Sequence, residues 1–181
     1  MTPSDLSSLT ARLLEAAKSA GADASDAIAI QGTSVSVDVR EGALDQAERS
    51  EGIDLGLRVF VGQKQANVSS SDTSDRTVEE MAARAVAMAQ EAPDDPYAGL
   101  AAPDQLATNW DLAALELYDD TPEPSAADLQ QDALEAEAAA MAVKGVEQVQ
   151  QATGAYGARD IWLAASNGFS GGYRRTDRAL S

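Results

Sequence analysis

The stretch IDLGLRVFV at residues 53–61 alternates in side-chain character more regularly than any other part of this 181-residue chain. One side of the alternation is apolar: Ile53, Leu55, Leu57, Val59 and Val61. The other side carries Asp54, Gly56, Arg58 and Phe60. A period of two is typical of a β-strand, because successive side chains point to opposite faces of a sheet. We therefore predict a strand here whose apolar face is covered by another layer.

Further strands are predicted on both sides of this stretch. Valines at positions 35, 37 and 39 alternate with polar residues, and turns are predicted at Glu41-Gly42 and at Gly62. The predicted strands cover residues 27–31, 35–40, 44–50, 53–61, 63–69, 146–153, 160–165 and 168–174. Strands this close in sequence are joined as hairpins, so the predicted sheet is largely antiparallel.

Three helices are predicted to supply the covering layer. The first is capped by Thr2 and ends at Gly21, and its apolar face is formed by Leu6, Leu9, Leu13 and Ala17. The second begins at residues 72–74 and ends before Pro93. The third begins at Ser125, with Asp128 in the capping-box position, and ends at Gly145.

The connection between the second and third helices is predicted to be a loop, with a short helical turn from Trp110 to Tyr118. The predicted fold class is therefore α+β: a largely antiparallel β-sheet with helices packed on one face, forming one domain over residues 1–181. No helix or cap follows the last predicted strand. We therefore expect the chain to be the N-terminal part of a longer protein.

The composition excludes several kinds of site. The chain has no histidine and no cysteine, so it lacks the commonest zinc ligands, Ser-His and Cys-His pairs and any disulfide. Its 13 Lys+Arg against 30 Asp+Glu give a formal net charge of −17, which disfavours contact with nucleic acids and anionic membranes. With no signal peptide or membrane-spanning stretch in the sequence, we predict a cytoplasmic protein.

Two acidic pairs, Asp94/Asp95 and Asp119/Asp120, are candidate ligands for Ca²⁺ or Mg²⁺, since these cations prefer oxygen. Neither pair has the alternating spacing of a calcium loop, and solvated loop charge is the favoured interpretation. The glycines at 52 and 56 and at 168, 171 and 172 do not lie between a strand and a helix N-terminus. Bulges or close backbone approaches explain them better than a phosphate-binding loop.

Arg40, Arg58 and Asn167 are the candidate peptide-binding residues. Arg40 and Arg58 could bind a peptide carboxylate through two hydrogen bonds, or they could pair with acidic neighbours, which the acid excess favours. Asn167 precedes Gly168 in a segment typical of a turn. The polar strands predicted at 44–50 and 63–69 could lie at a sheet edge and accept an extended peptide, or other contacts could shield them.

Seven blocks of the sequence together resemble one known family. They are AGA at 20–22, VDVREG at 37–42, GIDLGLRVF at 52–60, ANVSSSD at 66–72, PYAGL at 96–100, LELYD at 115–119 and SNGFSGGY at 166–173. In this order and spacing they are similar to the N-terminal region of the TldD/PmbA family, once described as modulators of DNA gyrase. The last block is more similar to the PmbA (TldE) branch.

The resemblance implies a cytoplasmic protein more than twice as long as this chain. TldD-type and PmbA-type subunits form a metalloprotease that acts on leader peptides and unfolded proteins, with the metal motif His-Glu-x-x-x-His in the C-terminal domain of the TldD-type subunit. Nothing in residues 1–181 matches that motif, so the resemblance gives this chain no catalytic or metal-binding residue. The zinc-type metal is expected in a TldD-type partner.

Three hypotheses follow from the residues and the resemblance together. The first is a non-catalytic domain of a PmbA-like subunit that admits extended or unfolded peptides, working with a TldD-type partner or as a homo-oligomer. The second is the substrate-covering part of a subunit that is itself a metallopeptidase. The third is a modulator of DNA gyrase, against which the acid excess argues if the contact is with DNA.

Overall fold

The structure is a computed structural model that describes residues 3–109 and 111–181. Its elements in chain order are α1 Pro3–Ser19, β1 Ala24–Arg40, β2 Ala43–Val61, β3 Lys64–Ser70, α2 Asp75–Glu91, a 3₁₀ turn Pro103–Gln105, α3 Ala126–Met141, β4 Ala152–Ala165 and β5 Ser170–Leu180. Thr2, the predicted cap of the first helix, and Trp110, the first residue of the predicted helical turn, lie outside the described residues. Within the range from Trp110 to Tyr118, where a short helical turn is predicted, the described residues 112–116 form turns and no helix.

The five strands form an antiparallel sheet in the order β3-β2-β1-β4-β5. The predicted α+β fold class is therefore confirmed. The strands are longer than predicted, because β1 continues through Gly32 and β2 continues through Gly52. Gly32 suits a continuous strand because it is closely packed: a Cβ there would lie 2.9 Å from the carbonyl oxygen of Ala158.

The prediction of a strand over 146–153 is wrong for most of that range. β4 begins at Ala152, and residues 146–151 have no regular structure. Thr153 donates a hydrogen bond of 2.7 Å to the carboxylate of Asp38, near the end of β1 at Arg40. β4 lies beside β1 in the sheet, and β1 ends two residues after Asp38. Residues before 152 therefore have almost no β1 backbone to pair with.

The described chain divides into two compact units. The first unit takes in the chain up to Gln31, Gly52–Leu115 and Asp160–Tyr173. The second unit takes in Gly32–Glu51, Glu116–Arg159 and Arg174–Ser181.

The core of the first unit contains the apolar faces that the sequence indicates. Leu6, Leu9 and Leu13 of α1 join Leu55, Leu57 and Val59 of β2 in one buried cluster, together with the buried face of α2. Phe60 is also buried. Although it alternates with the apolar residues, it is only 2% exposed, and the guanidinium of Arg58 lies 5.1 Å from the centre of its ring.

The core of the second unit lies between α3 and the sheet. Leu129 packs with Val35 and Val37, and Ala133 packs with Val39 and Ala152. Tyr156 packs against the first of these clusters. Burial, with a smaller contribution from Glu123, raises the pKa of its hydroxyl above the ordinary value.

The capping box predicted for α3 is present. The Ser125 hydroxyl accepts a hydrogen bond from the N–H of Asp128 at 3.2 Å, and the Asp128 carboxylate accepts one from the N–H of Ser125 at 2.8 Å. Hydrogen bonds from the Ser125 side chain and backbone lower the pKa of the Asp128 carboxyl below its ordinary value.

This lowered pKa makes part of the stability of α3 acid-sensitive. The ionised Asp128 contributes fully above its unfolded-state pKa, about 4, and the contribution is lost as pH falls through the lower folded-state pKa. We expect the melting temperature of wild type to fall more steeply below about pH 4 than that of Asp128→Asn. Thermal unfolding followed by circular dichroism measures this, with the exposed loop variant Asp94→Asn as control. Parallel curves for wild type and Asp128→Asn would contradict the expectation.

Candidate functional site

A free sheet edge is the main candidate for function. β3 pairs with β2 only from Leu55 to Val61, so within the described residues the outer side of β2 from Ala43 to Glu51 has no strand beside it. Every residue in that stretch is exposed. At about 3.4 Å per residue it offers roughly 30 Å of unpaired backbone donors and acceptors.

The side chains of this edge are mainly acidic. Asp45, Glu48 and Glu51 carry negative charge, and Arg49 is the only cation in residues 43–51. Arg49 is already engaged: its Nε donates a hydrogen bond of 2.9 Å to Glu51, and it pairs with Glu123. Hydrogen bonds to Glu123 and then Glu51 raise the pKa of Arg49 further above its ordinary value. The edge therefore presents net negative charge to an incoming chain.

The start of the edge is held in place by α3. Glu41 and Gly42 form the tip of the β1–β2 hairpin, both with positive φ, at 55° and 73°. Their N–H groups donate hydrogen bonds of 2.7 and 2.8 Å to the two carboxylate oxygens of Glu137. Glu137 is only 7% exposed, so the helix fixes the turn from which β2 begins.

Sequence reasoning missed Glu137, although one signal was available. Leu129, Ala133 and Glu137 follow one another at intervals of four, which places an acidic residue on the apolar face of the helix. A charge in that position needs a partner when it is buried. The sequence does not identify the partner, because the bonded N–H groups lie 96 and 95 residues away.

A groove of about 800 Å³ adjoins this hairpin tip in the second unit. We call it the acidic groove. Its lining includes Leu134, Ala138 and Met141 of α3, the hairpin tip, Glu137, and Glu147 in the segment that follows the helix. No lysine or arginine lines it within the described part of the chain.

The three predicted peptide-binding residues have different surroundings. Arg40 is exposed at the end of β1, in the second unit. Arg58, in the first unit, donates a hydrogen bond of 3.0 Å from Nε to Asp26, which is the acidic pairing that the sequence left open. Asn167, also in the first unit, donates to the carbonyl of Ala101 at 2.9 Å and accepts from the N–H of Phe169 at 3.2 Å. Peptide binding by these residues stays a prediction.

The acidic pairs make turn contacts. Asp95 accepts a hydrogen bond from the N–H of Tyr97 at 2.9 Å, and Asp119 accepts one from the N–H of Thr121 at 2.9 Å. Among residues 3–109 and 111–181, no three acidic side chains lie close enough together to hold a metal ion. The helices in those ranges are too short or too polar to span a membrane.

Two domain models of one protein family match the chain. Residues 25–89 match PmbA/TldA metallopeptidase domain 1, and residues 119–181 match the PmbA/TldA metallopeptidase central domain. A metalloprotease PmbA homolog from Haemophilus influenzae is 35% identical over 134 residues, covering 71% of this chain and 28% of that protein. The chain thus spans less than a third of the length of this relative.

Two solved structures are similar in fold. TldE from Thermococcus kodakarensis matches with a TM-score of 0.72 at 13% identity, over 95% of this chain and 38% of its own. A candidate modulator of DNA gyrase from Bacteroides thetaiotaomicron matches with a TM-score of 0.71 at 20% identity, over 96% of this chain and 39% of its own. At these identities the likeness concerns the fold alone.

Proposed function

Because the chain belongs to the PmbA/TldD family of metallopeptidase proteins, we propose that it is the peptide-admitting part of a PmbA-like subunit and does not itself cut the peptide. The free edge of β2 from Ala43 to Glu51 carries this proposal. An extended peptide can add to such an edge through backbone hydrogen bonds, which do not depend on its side chains. That mode suits unfolded substrates, whose common feature is an accessible backbone.

The proposal places hydrolysis elsewhere in the assembly. The chain has no histidine or cysteine, and no cluster of three acidic side chains among the described residues could replace them as metal ligands. A TldD-type subunit is the proposed source of the metal and of the reacting water. The net charge of −17 gives no support to a direct contact with DNA.

Proline substitutions in β2 test the edge directly. Adjacent residues in a strand direct their N–H groups to opposite sides, so Ala47→Pro and Glu48→Pro remove one donor facing β1 and one facing the free side. The variant that loses the β1 bond is expected to melt at a lower temperature. The variant that keeps the wild-type melting temperature is expected to bind an extended peptide about tenfold more weakly.

The binding measurement is fluorescence anisotropy with a labelled peptide of about nine residues, which matches the length of the edge. Two copies of the peptide, N-methylated at alternate residues in the two possible registers, serve as a matched pair. Strand addition requires that one methylated register binds worse than the other, since only one set of N–H groups faces β2. Equal binding of both copies, or full affinity of the stable proline variant, would refute the proposal.

A further inference from the structure

We infer that the acidic groove is a subsite for a bulky apolar side chain flanked by Lys or Arg in an extended peptide; this inference rests on the proposed function. The groove combines an apolar wall with carboxylates and adjoins the first residue of the free edge. Four properties support the assignment: its lining, the hydrogen bonds that join two of its walls, its charge and its position.

The lining offers uncovered apolar surface. Leu134 is partly buried, and Met141 is 45% exposed although it is a large apolar residue. A groove of about 800 Å³ is within the range of sites that enclose small ligands, so it has room for an aromatic or long aliphatic side chain. Methionine adapts its shape readily, which allows Met141 to close around side chains of different outline.

Two walls of the groove are joined to each other without a peptide. The two hydrogen bonds from the hairpin tip to Glu137 join α3 to the turn that makes the other wall. Binding to a preformed site avoids the entropy cost of ordering loops. We therefore expect affinity to come from filling the groove, with adjustment of side chains such as Met141 but no movement of α3 away from the hairpin tip.

The charge of the groove selects a cation beside the apolar side chain. Glu41 and Glu147 are exposed carboxylates in its lining, and the carboxylate of Glu137 is held by N–H groups and not by a cation. Lys144 occurs in the turn after α3 but does not line the groove. The local field therefore favours Lys or Arg and opposes Asp or Glu in the bound segment.

The position of the groove connects it to the edge. Gly42 lines the groove, and Ala43, the next residue, begins β2. A peptide added along Ala43–Glu51 ends at this point, so one of its terminal side chains can enter the groove. The edge would then supply backbone affinity and the groove would supply sequence preference.

The test uses three labelled peptides of equal length: one rich in Lys with a single Phe near one end, one with Ser in place of that Phe, and one with Glu in place of Lys. We expect the Phe-to-Ser change to weaken binding about tenfold, and the Glu peptide to bind more weakly still. Ala138 is an exposed residue of α3 that lines the groove, so Ala138→Trp places a large side chain in it. Ala139→Trp makes the same change at an exposed neighbour outside the lining. Ala138→Trp should weaken binding of the Lys-rich peptide with Phe (the Lys-Phe peptide) about tenfold, while Ala139→Trp leaves its Kd within about twofold.

Two variants that each remove one negative charge complete the design. Glu147→Gln should weaken binding of the Lys-Phe peptide severalfold, and the control Glu91→Gln in the first unit should not. Equal Kd values for the two tryptophan variants, or tighter binding of the Glu peptide, would overturn the subsite. The stable proline variant of β2 separates the two proposals. If it weakens binding of all three peptides while Ala138→Trp changes no Kd, the edge proposal is supported and the groove proposal is refuted. If only Ala138→Trp has an effect, the groove stands and the edge fails.

Discussion

Replacing Glu137 by alanine is expected to lower the free energy of unfolding by about 2–3 kcal/mol, the scale of losing hydrogen bonds to a buried carboxylate. The N–H groups of Glu41 and Gly42 lose their acceptors at 2.7 and 2.8 Å. Alanine favours the helix slightly, which offsets a few tenths of a kcal/mol. Chemical denaturation of the variant measures the difference.

The matched control is Glu135→Ala, an exposed position on the same helix. It removes the same side chain without touching the hairpin, and we expect a change within about 0.5 kcal/mol. Glu137→Gln should lie between the two, because the amide keeps one acceptor oxygen and turns an NH₂ group toward the other N–H. Hydrogen exchange adds a local readout: the amides of Glu41 and Gly42 should exchange faster in Glu137→Ala. An unchanged exchange rate would mean that Glu137 does not hold the hairpin tip.

The parts of the fold that the sequence predicts are those set by local pattern. The apolar face of α1 (Leu6, Leu9, Leu13) is buried as its spacing indicates. The alternation over 53–61 buries Leu55, Leu57 and Val59, and the capping box at Ser125 starts α3. Each of these signals lies within a few residues, so no knowledge of the rest of the chain is needed.

The parts that the sequence does not predict depend on distant partners. β1 continues through Gly32 because its neighbour Ala158 lies close, whereas a glycine followed by polar residues locally indicates a break. The sequence leaves Arg58 open between a peptide and an acidic partner, and Asp26 lies 32 residues away. For the polar strand predicted at 44–50, the sequence leaves open a free edge or a shielded one. The length of β3 decides between them, since it sets how much of β2 stays uncovered.

Gly154→Ala is expected to be the most damaging small substitution in the second unit. A Cβ at Gly154 would lie 2.3 Å from the carbonyl oxygen of Leu129 and 3.1 Å from its carbonyl carbon. These are backbone atoms of α3, so no side-chain rotation relieves the overlap, and the helix must move away from the sheet. Overpacking typically costs about 1–3 kcal/mol, and we expect the upper end of that range here because the overlap is with backbone atoms.

Two other glycines calibrate the effect of the added methyl group. A Cβ at Gly52 would meet no described atom within 4 Å beyond its own chain neighbours, so Gly52→Ala should be neutral or stabilise by about 0.4–1 kcal/mol through the unfolded state. At Gly157 the nearest atoms belong to the Asp177 carboxylate, 3.0 Å away. That side chain can turn aside, so Gly157→Ala should cost less than Gly154→Ala.

The free energies of unfolding of the three variants, measured in denaturant, show whether the loss at Gly154 comes from close packing. The alternative is that any glycine in these strands resists replacement. If α3 packs closely on Gly154, the loss of stability decreases in the order Gly154→Ala, Gly157→Ala, Gly52→Ala. The same displacement opens the contact of Leu129 with Val35 and Val37, so the first variant should also expose the α3 core to hydrogen exchange. Similar stabilities for Gly154→Ala and Gly52→Ala would show that α3 does not approach β4 so closely. In that case the acidic groove, which depends on the position of α3, would need a different shape.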